Sequence, residues 1–228
     1  SKYFKLYKNV VENSTVGIEL INCSYVNIEM PTIANVSTGI RLRDCEEFII
    51  AGAELLYGNH TGITSSGKSR IGTIEECEVE NFPYGFQFNN SDRIMLGGCS
   101  ADLCDNASVK ALKIKELSID SCFFLRAPVI LNVSDSHLYV RDTEISYIFG
   151  DGSGSLTPLL LDTIDDGYFK DSEIYNVSGT DGDDGADGAD HSSPSANGTS
   201  GASGENVTLF TITNSLNFNL PLRCFNFA

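Results

Sequence analysis

The sequence predicts an all-β fold, a β-solenoid of about eight coils. Three observations predict it. Four segments open alike, at Val16-Gly17-Ile18, Thr38-Gly39-Ile40, Thr61-Gly62-Ile63 and Tyr84-Gly85-Phe86, with glycines 22, 23 and 23 residues apart. A constant period of this length marks a stacked repeat. Apolar residues inside each unit alternate with period two, which is the signature of a strand with one buried and one wet face. The unit is also too short to hold two helices.

The elements can be justified in order. Tyr3-Phe4-Lys5-Leu6-Tyr7 alternates like a strand. After each repeat glycine comes an apolar–polar–apolar step: Ile18 and Leu20 flank Glu19, Ile40 and Leu42 flank Arg41, and Phe86 and Phe88 flank Gln87. Ile63-Thr64-Ser65 keeps the step weakly, and Val109-Lys110-Ala111 continues it. A second strand follows in each coil, at Val26/Ile28, Phe48/Ile50, Ile71/Thr73, Ile94/Leu96, Leu117/Ile119 and Leu138/Val140. Leu159/Leu161 open a further coil, and Phe210/Ile212 with Leu216/Phe218 form the strands of a last one. Residues 179–205 are rich in Gly, Asp, Ser, Ala and Asn and offer no core. They read as a loop insertion at a solenoid turn, since closing a long loop costs free energy that grows only slowly with its length. The chain, residues 1–228, is therefore expected to be one solenoid domain with an insertion at 179–205 and a terminal coil at 206–228.

The G-I-x-L…C-x-x-I-x-I pattern of these coils resembles the right-handed parallel β-helix family, which includes pectate-lyase-like enzymes, phage tailspikes and repeat-bearing surface proteins. The resemblance covers roughly residues 10–178 and 206–228. It implies the fold more strongly than any activity, because one fold hosts many functions. The catalytic motifs of polygalacturonases are absent as a set; Asp165-Asp166 and Asp183-Asp184 stand alone. Lyases of this fold work with a carboxylate cluster, Ca²⁺ and a basic residue on outer strands. The outward column here reads Glu19, Arg41, Thr64, Gln87 and Lys110, with no acidic patch. Glu75, Glu76, Glu78 and Glu80 cluster and could supply a carboxylate pair, but a charge run is more often a solvated face. No catalytic residue is assigned, and no cofactor is required.

With 31 acidic against 15 basic residues, the net charge is −16. Such a surface repels nucleic acid and anionic lipid and attracts cations. No stretch approaches the ~20 apolar residues that cross a bilayer. The chain begins at Ser1 rather than Met, which a cleaved export signal would explain, and so would a trimmed terminus.

Export is also suggested by ten Asn-x-Ser/Thr sequons, at Asn13, Asn22, Asn35, Asn59, Asn89, Asn106, Asn132, Asn176, Asn197 and Asn206. Chance would give about three from 18 Asn and 39 Ser plus Thr in 228 residues. Asn13, Asn35, Asn59 and Asn106 precede repeat positions and form a file along one edge. Two readings compete for that file: a coat of N-linked glycans, or Asn chosen because it tolerates the left-handed conformation of tight turns.

The seven cysteines also recur in register. Cys23 and Cys45 share a slot in adjacent coils, as do Cys99 and Cys122. A rung spacing of about 4.8 Å falls inside the Cα window for disulfides, so each pair is either bonded or a column of buried thiols. The odd count makes Cys224 the candidate for a bond between subunits. Asp181, Asp183, Asp184, Asp187 and Asp190, set among glycines, form a weak candidate Ca²⁺ site; a solvated acidic loop is the alternative. His60, His137 and His191 are scattered and read as surface residues.

Neither end carries an amphipathic helix, and Leu216–Leu220 and Cys224–Phe227 alternate like the opening strand. Bare solenoid ends invite pairing with another chain. The expectation is a non-enzymatic, extracellular structural protein whose copies stack end to end into a cell-envelope sheath, surface layer or filament. The alternatives are a carbohydrate-active lyase or depolymerase, and an adhesin using the 179–205 loop.

Overall fold

A computed structural model describes residues 3–146, 158–175, 210–215, 218–219 and 223–225. Among them are twenty strands and no helix. In chain order these are β1 (Tyr3–Tyr7), β2 (Val10–Glu12), β3 (Val16–Ile21), β4 (Tyr25–Glu29), β5 (Thr32–Arg43), β6 (Glu47–Ala51), β7 (Glu54–Ser66), β8 (Ser69–Glu75), β9 (Glu78–Glu80), β10 (Tyr84–Gly97), β11 (Ser100–Asp102), β12 (Ala107–Asp120), β13 (Phe123–Leu125), β14 (Leu131–Arg141), β15 (Glu144–Ser146), β16 (Leu159–Lys170), β17 (Glu173–Tyr175), β18 (Phe210–Thr213), β19 (Phe218–Asn219) and β20 (Arg223–Phe225). Each pairs in parallel with its counterpart one coil along, as β3 with β5, β10 with β12 and β14 with β16. The all-β solenoid expected from the repeat is thus the observed architecture. About six turns are continuous from Val16 to Ser146, somewhat short of the eight expected; β16–β17 and β18–β20 stack further rungs onto them.

Each turn has three faces separated by three corners. The corners are visible in the backbone: nineteen non-glycine residues and three glycines have positive φ, and the pairing register places all of them in three columns. The first column runs Asn22, Asp44, Gly67, Asn90, Lys113, Asp135, Thr163, Asn214. The second runs Lys8, Met30, Gly52, Glu76, Gly98, Ser121, Asp142, Asp171, and the third Asn13, Asn35, Tyr57, Asn81, Leu103, Arg126. One left-handed residue per corner reverses the chain without ending the ladder, so β5 and β7 pass through the third corner, and β10, β12, β14 and β16 through the first, as continuous strands.

The core is one apolar column along the axis. Face 1, after the third corner, contributes Ile40, Ile63, Phe86 and Val109; face 2, after the first corner, contributes Ile28, Ile50, Leu96 and Ile119; face 3, after the second, contributes Ile33, Leu55, Val79 and Phe124, all buried. The repeat glycines sit where faces 1 and 3 press together. A Cβ on Gly39 would lie 2.0 Å from Leu55 Cδ2, and one on Gly62 would lie 2.3 Å from Val79 Cγ1. The Gly-Ile signature therefore records close approach of two faces.

One register expectation is corrected. Phe48 and Ile50 pair with Gly72 and Ile74, not with Ile71 and Thr73. The first corner of that coil holds one extra residue: Asp44 aligns with Gly67 but Cys45 with Ser69, leaving Lys68 inserted. The shift turns Ile71 outward and brings Gly72 under the Phe48 ring, whose Cζ would lie 2.1 Å from a Cβ at that position.

Candidate functional site

The cysteines belong to the corners. After most left-handed residues of the first and second corners the next side chain points inward, and at nine of these corners a short donor there reaches the carbonyl two residues back. Cys23, Cys45, Ser136 and Ser215 do this at the first corner, to Ile21, Arg43, Ser134 and Thr213. Cys77, Cys99, Cys122, Thr143 and Ser172 do it at the second, to Glu75, Gly97, Asp120, Arg141 and Lys170. Cys45, Cys77 and Cys99 also reach back to the previous coil, at Leu20, Ile50 and Ile74. The slot admits a small inward donor, which Cys, Ser and Thr supply, but it does not require one: Ala53, Ile114 and Ile164 fill it elsewhere.

Of the two readings open for Cys23/Cys45 and Cys99/Cys122, the bridges are not formed and the buried thiol column is observed; all six cysteines from Cys23 to Cys122 are free and buried. In-register parallel strands hold their Cβ atoms near the rung spacing of about 4.8 Å, beyond the ~3.5–4.5 Å that a disulfide needs. The Cα distance alone had suggested otherwise. Cys77 completes a three-thiol column with Cys99 and Cys122, a member missed because the extra residue upstream disturbs the count. The Cys99–Cys122 hydrogen bond pulls the Cys99 thiol down, but its bond with Cys77 and burial outweigh that and push it up to about 12. Burial, then Asp102 and Asp105, push Cys104 up to about 12. Cys224 lies in β20 with its backbone in register with Ile174; its side chain is outside the described residues.

The sequons divide by corner. Asn13, Asn22 and Asn35 are themselves left-handed corner residues, so the turn alone accounts for Asn there. Asn59 and Asn106 are exposed and follow the third corner without being its left-handed residue. Asn89 and Asn132 lie half-buried on face 1. Asn176, Asn197 and Asn206 lie outside the described residues, as do Asp181, Asp183, Asp184, Asp187, Asp190 and His191. Among the described residues no three His, Cys, Asp or Glu side chains converge on a possible metal position. Asn13, Asn35, Tyr57, Asn59 and Asn81 line an open groove of about 930 Å³ at the third corner.

The outer surface carries two more features. On face 2, Arg70, Arg93, Lys115 and His137 border a groove of about 440 Å³, with Tyr139, Arg141 and Tyr168 in a smaller one that shares Glu116. Arg93 pairs with Glu116 at 3.0 Å and Lys115 with Asp92 at 2.5 Å. On face 1, Glu19 pairs with Arg41 at 3.5 Å and Arg43 at 3.1 Å. The four clustered glutamates split across the second corner: Glu75 ends β8, Glu76 is the left-handed residue, and Glu78 and Glu80 bound β9.

The first described rung has neighbours on one side only: among the described residues β1 pairs only with β4, and β2 only with β5. Phe4, in register with the buried Val26, is 39% exposed, and Tyr3, Tyr7 and Val10 are 63%, 55% and 70% exposed. Tyr3 stacks on Tyr25 with ring centroids 4.9 Å apart, extending the ladder in side chains. Among the described residues no helix is long and apolar enough to cross a membrane.

A family model described as "Right handed beta helix region" matches residues 16–180. No curated protein and no solved structure matches the chain.

Proposed function

Since the chain belongs to the right-handed β-helix family, we propose that it is a non-enzymatic structural member, exported to the cell surface, whose copies stack end to end into a sheath, surface layer or filament. What supports this reading is the edge of the first described rung, where β1 and β2 are paired on one side only among the described residues. An inward-facing Phe4 at 39% exposure beside unpaired strand edges is a surface that another parallel rung would complete. The three strands of the last described rung, β18, β19 and β20, pair on one side only among the described residues, which supplies a matching edge. Some acidic side chains of the outer faces are engaged by neighbouring coils: Glu19 by Arg41 and Arg43, Asp120 by Arg141, Asp102 by Arg126. That supports a structural rather than a chemical use.

Sedimentation velocity over a concentration series, with negative-stain electron microscopy, tests the proposal. The wild type is expected to form rods growing in length with concentration, and Phe4→Lys, which places a charge at the docking edge, to remain monomeric with an unchanged circular dichroism spectrum. A wild type that stays monomeric at the highest concentration reached overturns it.

The grooves of face 2 favour a second reading, in which an acidic polysaccharide lies along the solenoid on Arg70, Arg93 and Lys115. Co-sedimentation with a polyuronate, abolished by Arg70→Glu, would support binding; release of unsaturated or reducing ends would make the protein an enzyme.

A further inference from the structure

We propose that Asn59 carries an N-linked glycan whose first sugar packs its apolar face on the ring of Tyr57, in the groove beneath the third corner. The inference rests on the exported reading above and on the first of the two readings of the sequons, N-linked glycans, and names the sequon that is built for one.

The asparagines of the third-corner column have a plain turn explanation. Asn13, Asn35 and Asn81 occupy the left-handed position at φ 54°, 54° and 58°. In the third coil that position is taken by Tyr57, at φ 58°, although a bulky side chain is disfavoured there. The Asn of this coil is displaced to position 59, where no turn requires it. The corner is also longer: Val36 aligns with Gly58 and Thr38 with Thr61, so the Gly58–His60 segment contains one residue more than its neighbour. The extra residue makes Asn59 stand out from the rungs below it.

Tyr57 and Asn59 flank Gly58 and border the same groove. Gly58 cannot be larger, since a Cβ would lie 1.8 Å from Phe82 Cε1. Position 58 faces the buried Phe82, and Tyr57, 56% exposed, and the exposed Asn59 stand on the outer side of the corner on either side of it. The groove's lining is neutral and polar, with Asn13, Thr15, Asn35 and Ser37 offering amides and hydroxyls to sugar hydroxyls. On a chain with 20% charged residues, an uncharged groove holding an exposed aromatic ring matches the chemistry of a neutral sugar. Its volume, about 930 Å³, falls within the ~300–1,000 Å³ of small-ligand clefts.

The modification joins the Asn59 amide nitrogen to the anomeric carbon of a lipid-diphosphate-linked oligosaccharide; the amide gives up a proton and the lipid diphosphate leaves. Transfer must come before folding of the neighbouring coil. Thr61, the sequon's hydroxyl residue, is fully buried, donates to Gln87 Oε1 at 3.2 Å and lies 2.8 Å from His60 Nδ1.

The full chain secreted from a eukaryotic cell line tests this by peptide mapping and by melting before and after enzymatic removal of glycans. Asn59 is expected to be occupied, and deglycosylation to lower Tm by about 2–4 °C. That shift is expected to vanish in Asn59→Gln and in Tyr57→Ser and to persist in Tyr57→Phe, which retains the ring. Occupancy at Asn13 or Asn35 with Asn59 bare, or an equal shift in Tyr57→Ser, overturns this inference alone. A secreted protein with no occupied sequon overturns the glycoprotein reading and this inference together.

Discussion

At the scale of single residues, the repeat glycines show how a sequence signature and its physical cause can lie in different coils. The period is plain from Gly17, Gly39, Gly62 and Gly85, but the atoms that demand glycine belong to Ile33, Leu55, Val79 and Ala101 on another face and to the carbonyl oxygens of Gly39, Gly62, Gly85 and Ser108 one coil along. Gly39→Ala would drive a methyl group into Leu55 and to within 2.5 Å of the Gly62 carbonyl oxygen. Overpacking of this kind costs about 1–3 kcal/mol, to be read as a lowered urea midpoint with unchanged slope. Because the two side chains share one space, Gly39→Ala combined with Leu55→Ala should cost less than the sum of the single changes. The cysteines were legible in the same partial way. Their slots could be counted, but their role could not, because it depends on a carbonyl two residues back at a left-handed corner. The same slot is filled by Ser136, Thr143 and Ser172, which no cysteine count would gather.

At the scale of the element, the corners set the path of the chain more than the strands do. Asn at Asn13, Asn22 and Asn35 was readable as a turn residue, whereas Lys8, Met30, Leu103, Lys113 and Arg126 were not, since their types do not favour positive φ. They hold it because the ladders on either side leave the corner no other route. That strain is a stability reserve with opposite signs in one column. Lys113, exposed at φ 57°, should tolerate Gly with a gain of about 1 kcal/mol. Gly67, at φ 85°, should lose at least as much on change to Ala, whose Cβ would also lie 2.3 Å from Asp44 Oδ1. Chemical denaturation of the two variants checks both signs. A one-residue insertion at such a corner, Lys68, is also what misplaced Ile71 and Thr73: period-two reading carries no information about a residue that stands outside the ladder.

At the scale of the whole molecule, nearest-neighbour stacking puts titratable groups of opposite behaviour in different places. Carboxylates held below their usual range lie on the outside, Asp120 beside Arg141 and Asp162 beneath Thr213 and Asn214. Their contribution is present above the ordinary carboxylate range and lost as pH falls through their depressed values. The thiols run through the interior. Cys99 and Cys104 titrate near 12 in the folded chain against an ordinary 9.0; Cys45 and Cys122 are also raised, and Cys77, through its bond with Cys99, is lowered. A thiol raised on folding stays protonated in the native state while the unfolded chain ionises, so its contribution is complete below pH 9 and is lost as pH climbs towards 12. One such group changes the unfolding free energy by about 1.4 kcal/mol per pH unit across that window. The solenoid should therefore lose stability more steeply in base than the tyrosines and lysines of its surface would dictate. Cys104→Ala isolates the effect, because the next rung of that column already holds the buried Ala127. Urea titrations at intervals from pH 8 to 11 should show the variant slightly less stable than the wild type at the start, with a slope against pH shallower by about 1.4 kcal/mol per unit above pH 9. Parallel slopes would mean that Cys104 ionises as readily in the folded chain as in the unfolded one.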